Sequence, residues 1–166
     1  MDGRLALCII VFLCFCQTAK AEWLLTEKND AMTDLADPTL ASLSTDKSVM
    51  LILICTPTGD ASLAMVSQSK KTFIPQRFFY RVDHGPVAKV AADADEEMLT
   101  VKEPLPVLAR MKSGSQLTVR YEDNDRYYDV YYELAGVGPK IGKVLAACAV
   151  QRKVMADRAR LHHPNP

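Results

Sequence analysis

Two cysteines are the side chains best suited to chemistry in this 166-residue sequence. Of the five cysteines, Cys8, Cys14 and Cys16 lie in an apolar run near the N-terminus, so Cys55 and Cys148 remain for the body of the protein. A cysteine nucleophile needs a base within hydrogen-bond reach, whereas two cysteines in an oxidising compartment are expected to pair. The sequence therefore predicts a disulfide between Cys55 and Cys148, which removes both thiols from catalysis.

Other groupings of reactive side chains lack the partners that chemistry requires. His84 is the only histidine before the adjacent pair at 162–163, and neighbouring Asp83 should point to the opposite side of a strand. The acidic clusters at 93–97 and 123–125 lack the glycine and the distal glutamate of a calcium loop. We interpret both clusters as solvated turns and expect no catalytic residue, no metal site and no cofactor.

The first residues have the layout of a secretory signal peptide. Arg4 precedes the apolar run at 5–16, and residues 19–21 form a small-residue A-x-A site. The alternative is a retained anchor, but a spanning helix needs roughly 20 apolar residues. The sequence predicts cleavage of residues 1–21, a periplasmic or secreted protein and no stable membrane anchor afterwards.

The charge balance argues against a nucleic-acid partner. The chain has 20 Lys and Arg against 20 Asp and Glu, so it shows no basic excess. Residues 70–79 do interleave cations with aromatics, which can form a stacking surface. Three cations are few, however, and the aromatics are expected in the core. The residues concerned are Lys70, Lys71, Arg77, Phe73, Phe78 and Phe79.

Tyrosines are concentrated on one predicted β-hairpin, formed by residues 115–122 and 127–134. Period-two alternation should bury some of them and leave Tyr127 and Tyr131 exposed. Exposed tyrosines suit protein interfaces, although a stabilising cross-strand pair remains the alternative. Together with Arg81 and Asp83, on one face of the predicted strand 77–83, they are the candidate interface residues.

The remaining pattern predicts an α+β domain over 22–150: a mainly antiparallel, sandwich-like β-sheet with a short helix and a C-terminal helix. In the last helix, Ile141, Val144, Leu145 and Cys148 recur on one face, so Cys148 should meet a core strand. Residues 151–166 are expected to be a helical extension and a disordered tail. The expected segments are strands at 23–25, 48–56, 61–66, 77–83, 87–90 and 98–101, a loop at 28–38, an acidic turn at 93–97 and a helix at 103–114.

The order of these segments resembles the VasI family of type VI secretion-associated proteins and related small exported bacterial proteins. The resemblance implies an exported accessory protein. The lack of a catalytic constellation predicts that it is not an enzyme, and together with the tyrosine-rich hairpin it favours an envelope or secretion-apparatus protein as the partner. The resemblance supplies no catalytic residue. Inhibition of an envelope-degrading enzyme such as lysozyme is an alternative, and a cell-wall hydrolase is another. The matching residues are Trp23, Met32, Thr33, Asp34, Cys55, Tyr80, Arg81, Val82, Asp83, Gly85, Pro86, Leu134, Gly136, Leu145 and Cys148.

Overall fold

The structure is a computed structural model that describes residues 22–29, 35–68, 73, 78–95, 97–123 and 125–162. The predicted signal peptide at 1–21 lies outside these residues. Within them, the strands form one six-stranded and one four-stranded antiparallel sheet, and the predicted α+β class is confirmed. The elements are β1 (Leu24–Asn29), β2 (Ala36–Leu43), β3 (Val49–Cys55), β4 (Ala61–Ser67), β5 (Phe79–Val82), β6 (Ala88–Lys89), β7 (Ala92–Asp95), β8 (Met98–Val101), α1 (Pro104–Ser113), β9 (Gln116–Asp123), β10 (Arg126–Glu133) and α2 (Val137–His162).

The six-stranded sheet has the order β1-β2-β3-β4-β8-β7. Its central strand β3 buries Val49, Leu51 and Leu53 on one face, and the alternating residues are half-buried. β-Branched and other apolar residues favour a strand, and burial at every second residue gives it an inner and an outer face. The predicted hairpin with β4 is present, and Gly59 adopts the left-handed φ of +82° in its turn.

Two predicted loops were wrong in part. Residues 28–38 were expected to be a loop, but β1 continues to Asn29 and β2 begins at Ala36, while residues 30–34 lie outside the described residues. Residues 93–97 were expected to be an acidic turn, but β7 extends from Ala92 to Asp95 and pairs with β8. The physical reason is that alternating alanines of β7 pack against the core while its aspartates face outwards, so a strand partner outweighs low β-propensity.

The four-stranded sheet has the order β10-β9-β5-β6. The tyrosines that point inwards from β9 and β10 are Tyr121 and Tyr132, which are fully buried, and Tyr128, which is partly buried. Phe73 packs edge-on against Tyr121, with ring centroids 5.1 Å apart. Trp23 contacts Tyr132 and donates its indole N–H to the Glu133 carbonyl over 2.5 Å. The start of the described chain is thereby fixed to β10.

Helix α2 packs against the six-stranded sheet and is joined to it covalently. Ile141, Val144 and Cys148 are buried, as their spacing predicts. Cys148 is bonded to Cys55 at the end of β3, with Cα atoms 5.3 Å apart and a sequence separation of 93. On the chain-entropy model, closing such a loop contributes about 4.6 kcal/mol to the free energy of unfolding. The predicted disulfide is present and joins sheet to helix.

Helix α1 packs against α2 and β4. It extends from Pro104 to Ser113, close to the predicted helix at 103–114, and buries Val107, Leu108 and Met111. The residue after it, Gly114, packs so closely on Val82 that an added Cβ would lie 2.0 Å from a Val82 methyl group. A side chain at position 114 would therefore displace Val82 at the end of β5.

Candidate binding groove

The four-stranded sheet has an outer face, turned away from the core, that carries polar and aromatic side chains in register. On one row, Phe79 pairs with Arg120, and Arg120 pairs with Asp129. On the next row, Arg81 pairs with Thr118, and Thr118 pairs with Tyr131. Because side chains alternate between the faces of a strand, these residues share one surface while their chain neighbours are in the core.

This outer face is concave. It contains a groove of about 410 Å³, open to solvent, which we call the outer groove. Such a volume lies within the range of small-ligand pockets. The groove crosses β10, β9 and β5 and reaches the residue before β6. It is lined by Phe79, Tyr80, Arg81, Val87, Thr118, Arg120, Tyr127 and Asp129.

A bidentate ion pair lies in the outer groove. The Arg120 Nε donates to Asp129 Oδ1 over 2.6 Å, and its Nη2 donates to Oδ2 over 2.7 Å. These hydrogen bonds and the positive charge of Arg120 lower the pKa of the Asp129 carboxyl below its ordinary value, with a further contribution from Arg81. Asp129 in turn raises the pKa of Arg120. The pair therefore stays ionised at neutral pH and fixes the guanidinium plane.

Two of the four predicted interface residues line the groove, and a third lies beside it. Arg81 and Tyr127 are lining residues, and Tyr131 extends from the same outer face on the Arg81 row. Tyr127 is 56% exposed and Tyr131 is 38% exposed, as the alternation predicts. Whether they form an interface stays a prediction.

Asp83 has a different position, in the turn after β5. It adopts a left-handed φ of 52°, and its Oδ1 accepts hydrogen bonds from the backbone N–H groups of Ser115 and Gln116, both over 2.9 Å. The carboxylate is thus used to hold the start of β9 against the end of β5. It lies outside the outer groove.

The residues first considered for chemistry are not brought together. Cys55 and Cys148 form the disulfide, and His84 is exposed in the turn after β5. Asp93 lies on β7 and forms an ion pair with Lys102 over 2.9 Å. Among the residues that the structure describes, no three His, Cys, Asp or Glu side chains are grouped as metal ligands would be.

Sequence reasoning missed Phe79, Arg120 and Asp129. Phe79 was expected in the core with Phe73 and Phe78, which are indeed buried, but its position between Phe78 and Tyr80 places it on the opposite face. Arg120 and Asp129 could have been found from the hairpin. Arg126 lies opposite Asp123 in the hairpin, and counting along both strands from that pair places Arg120 opposite Asp129.

Comparisons with protein-family models, with curated proteins and with solved structures found no match to this chain. No helix in the described ranges combines the length and the apolar character needed to cross a membrane.

Proposed function

We propose that this protein is an exported, periplasmic binding or accessory protein without enzymatic activity, and that it binds an envelope or secretion-apparatus protein through the outer groove. The observation that carries the proposal is the groove itself, where exposed Tyr127 lies on the same concave face as Arg81 and Arg120. Tyrosine and arginine are enriched among the residues that dominate protein–protein binding energy. The sequence resemblance to the VasI family supports the accessory role.

Rigid positioning of the groove side chains supports binding. The groove lies on paired strands, and Arg120 is oriented by Asp129. The inner face beneath it is closely packed, with Tyr121 and Tyr132 fully buried. A partner that meets a preorganised surface loses less side-chain entropy on binding. The Cys55–Cys148 disulfide is compatible with the oxidising compartment in which an exported protein would be found.

Site-specific photocrosslinking in intact cells tests the proposal. Benzoylphenylalanine is placed at position 127, where Tyr127 is 56% exposed, and at position 150 as a control, where Val150 on α2 is 55% exposed. Because the two sites are equally accessible, random collision should label them equally. We expect a discrete crosslinked envelope protein from position 127 and none from position 150.

Two results would contradict the proposal. Equal crosslinking from both positions would remove the groove as the binding surface. Hydrolysis of purified peptidoglycan by the wild-type protein, abolished by His84→Ala, would show an enzyme. His84 is suitable for this control because it is exposed and lies in a turn, so its loss should not disturb folding.

A further inference from the structure

The two guanidinium groups of the outer groove differ in how many of their N–H groups already donate hydrogen bonds. Arg120 engages Asp129 through Nε and Nη2, so the N–H groups of its Nη1 face away from that carboxylate. The Arg81 guanidinium takes part in no hydrogen bond or ion pair within the described part of the chain. The charged residues that line the groove are thus two cations, Arg81 and Arg120, and one anion, Asp129.

The spacing of the two cations suits two carboxylates on one short segment. Arg81 pairs with Thr118, and Arg120 lies two residues further along β9. Such diagonal neighbours have Cα atoms about 7–8 Å apart. Alternate residues of an extended peptide, which point to one side, are separated by a similar distance of roughly 6.6–6.8 Å.

The groove also offers apolar surface beside these cations. Val87 on one side is 65% exposed, Tyr127 on the other is 56% exposed, and half-buried Phe79 lies between them. A purely ionic ligand would leave this surface in water. A segment that carries an aromatic or aliphatic side chain on the same side as its carboxylates would cover it.

We infer that the outer groove recognises a short, extended, acidic segment of a protein partner, with carboxylates on Arg81 and Arg120 and an apolar side chain against Tyr127 and Phe79. The inference rests on the proposed function and specifies the chemistry of the partner. Arginine matches carboxylates with two parallel hydrogen bonds. An anionic membrane surface fits less well, since its recognition typically uses clusters of four to eight Lys or Arg, and the groove has two.

Fluorescence polarisation with defined peptides tests this chemistry. The probe is a labelled short extended peptide with aspartate, aspartate and phenylalanine at alternate positions and glycine between them, so that all three side chains point to one side. The comparison peptides replace aspartate by asparagine, aspartate by lysine, or phenylalanine by glycine. We expect the acidic aromatic peptide to bind at least about tenfold more tightly than each of the others. Raising NaCl from about 0.05 M to about 0.5 M should weaken its binding, because salt screens exposed charges.

Substitution of Arg81 identifies the groove as the binding site. Arg81→Gln should weaken binding of the acidic peptide about tenfold. Arg81→Lys should weaken it less, because lysine keeps the positive charge but lacks the paired N–H donors of the guanidinium group. Arg158→Gln is the matched control, since Arg158 is an exposed arginine on α2, and it should leave binding unchanged. Arg81 is itself exposed, so these variants should fold, as circular dichroism can check.

The outcomes separate this inference from the proposed function. If the asparagine or lysine peptide binds as well as the acidic one, or if Arg81→Gln has no effect, the acidic-segment inference is overturned. The same holds if anionic phospholipid vesicles bind in an Arg81-dependent way and the acidic peptide does not. In each case, crosslinking from position 127 but not 150 would leave the proposed function standing.

Discussion

The two faces of the four-stranded sheet use the same residue type for different purposes. On the inner face, Tyr132 is fully buried, contacts Trp23 and donates its hydroxyl to the Val49 carbonyl over 3.3 Å. On the outer face, Tyr131, one residue earlier in β10, is 38% exposed. The comparison shows that position along the strand, and not residue type, decides whether a tyrosine stabilises the fold or is available to a partner.

The largest effect that the comparison predicts is on folding. Tyr132→Ala should lower the free energy of unfolding by about 3–5 kcal/mol, because it removes a fully buried aromatic side chain and leaves a cavity. Tyr131→Ala should lower it by about 0.5 kcal/mol or less, as is usual for surface positions. Urea unfolding followed by fluorescence measures both values.

This pair of variants is internally controlled, because the substitutions are identical and adjacent. The backbone carbonyl of Tyr131, which accepts a hydrogen bond from the Thr45 N–H, is unchanged by either one. A loss above about 2 kcal/mol for Tyr131→Ala would break the comparison, since the outer face would then also support the fold.

A smaller effect should appear at alkaline pH. Burial, with lesser contributions from Asp46 and Tyr121, raises the pKa of the Tyr132 phenol above its ordinary value of about 10. The unfolded chain then loses this proton at a lower pH than the folded chain does. The contribution of Tyr132 to stability is present below about pH 10 and is lost as the pH rises towards the raised pKa, with a slope of up to about 1.4 kcal/mol per pH unit.

Two phenylalanine variants measure that slope. Tyr132→Phe should remove it, and the hydroxyl hydrogen bond lost with it should cost about 1 kcal/mol at neutral pH. Tyr131→Phe is the matched control, because it removes a hydroxyl from the outer face of the same strand. An alkaline decline that is the same in all three proteins would show that Tyr132 is not the titrating group.

The pattern of the hairpin predicted the two faces well because alternation is a local property. The exposure of Tyr127 and Tyr131 and the burial of Tyr132 follow from counting along one strand. The disulfide could also be predicted, since Cys55 ends an apolar strand and Cys148 lies on the apolar stripe of a helix. Both predictions need only the hydrophobic periodicity of single segments and the position of a residue within that period.

The groove could not be predicted because it depends on contacts between strands that are distant in sequence. The groove reaches from β10 across β9 and β5 to Val87 beside β6, and although a strand was predicted at 87–90, nothing local shows that it pairs with β5. β7 was missed for a related reason, as its Ala-Asp alternation becomes a strand only when β8 provides partners. Local propensity is weak at these sites, so tertiary pairing decides the structure.

The smallest predicted effect concerns the Arg120–Asp129 pair, and it tests whether the outer face contributes to folding at all. A double-mutant cycle with Arg120→Gln and Asp129→Asn should give a coupling free energy of about 0.5–1 kcal/mol at pH 7, since Arg120 is 55% and Asp129 is 28% exposed and water screens the pair. Because the pKa of Asp129 is lowered, the coupling should persist above about pH 4 and disappear as the pH falls through that lowered value. A coupling above about 2 kcal/mol would place the pair among the interactions that hold the fold, whereas no coupling would mean that Asp129 does not fix Arg120 for a partner.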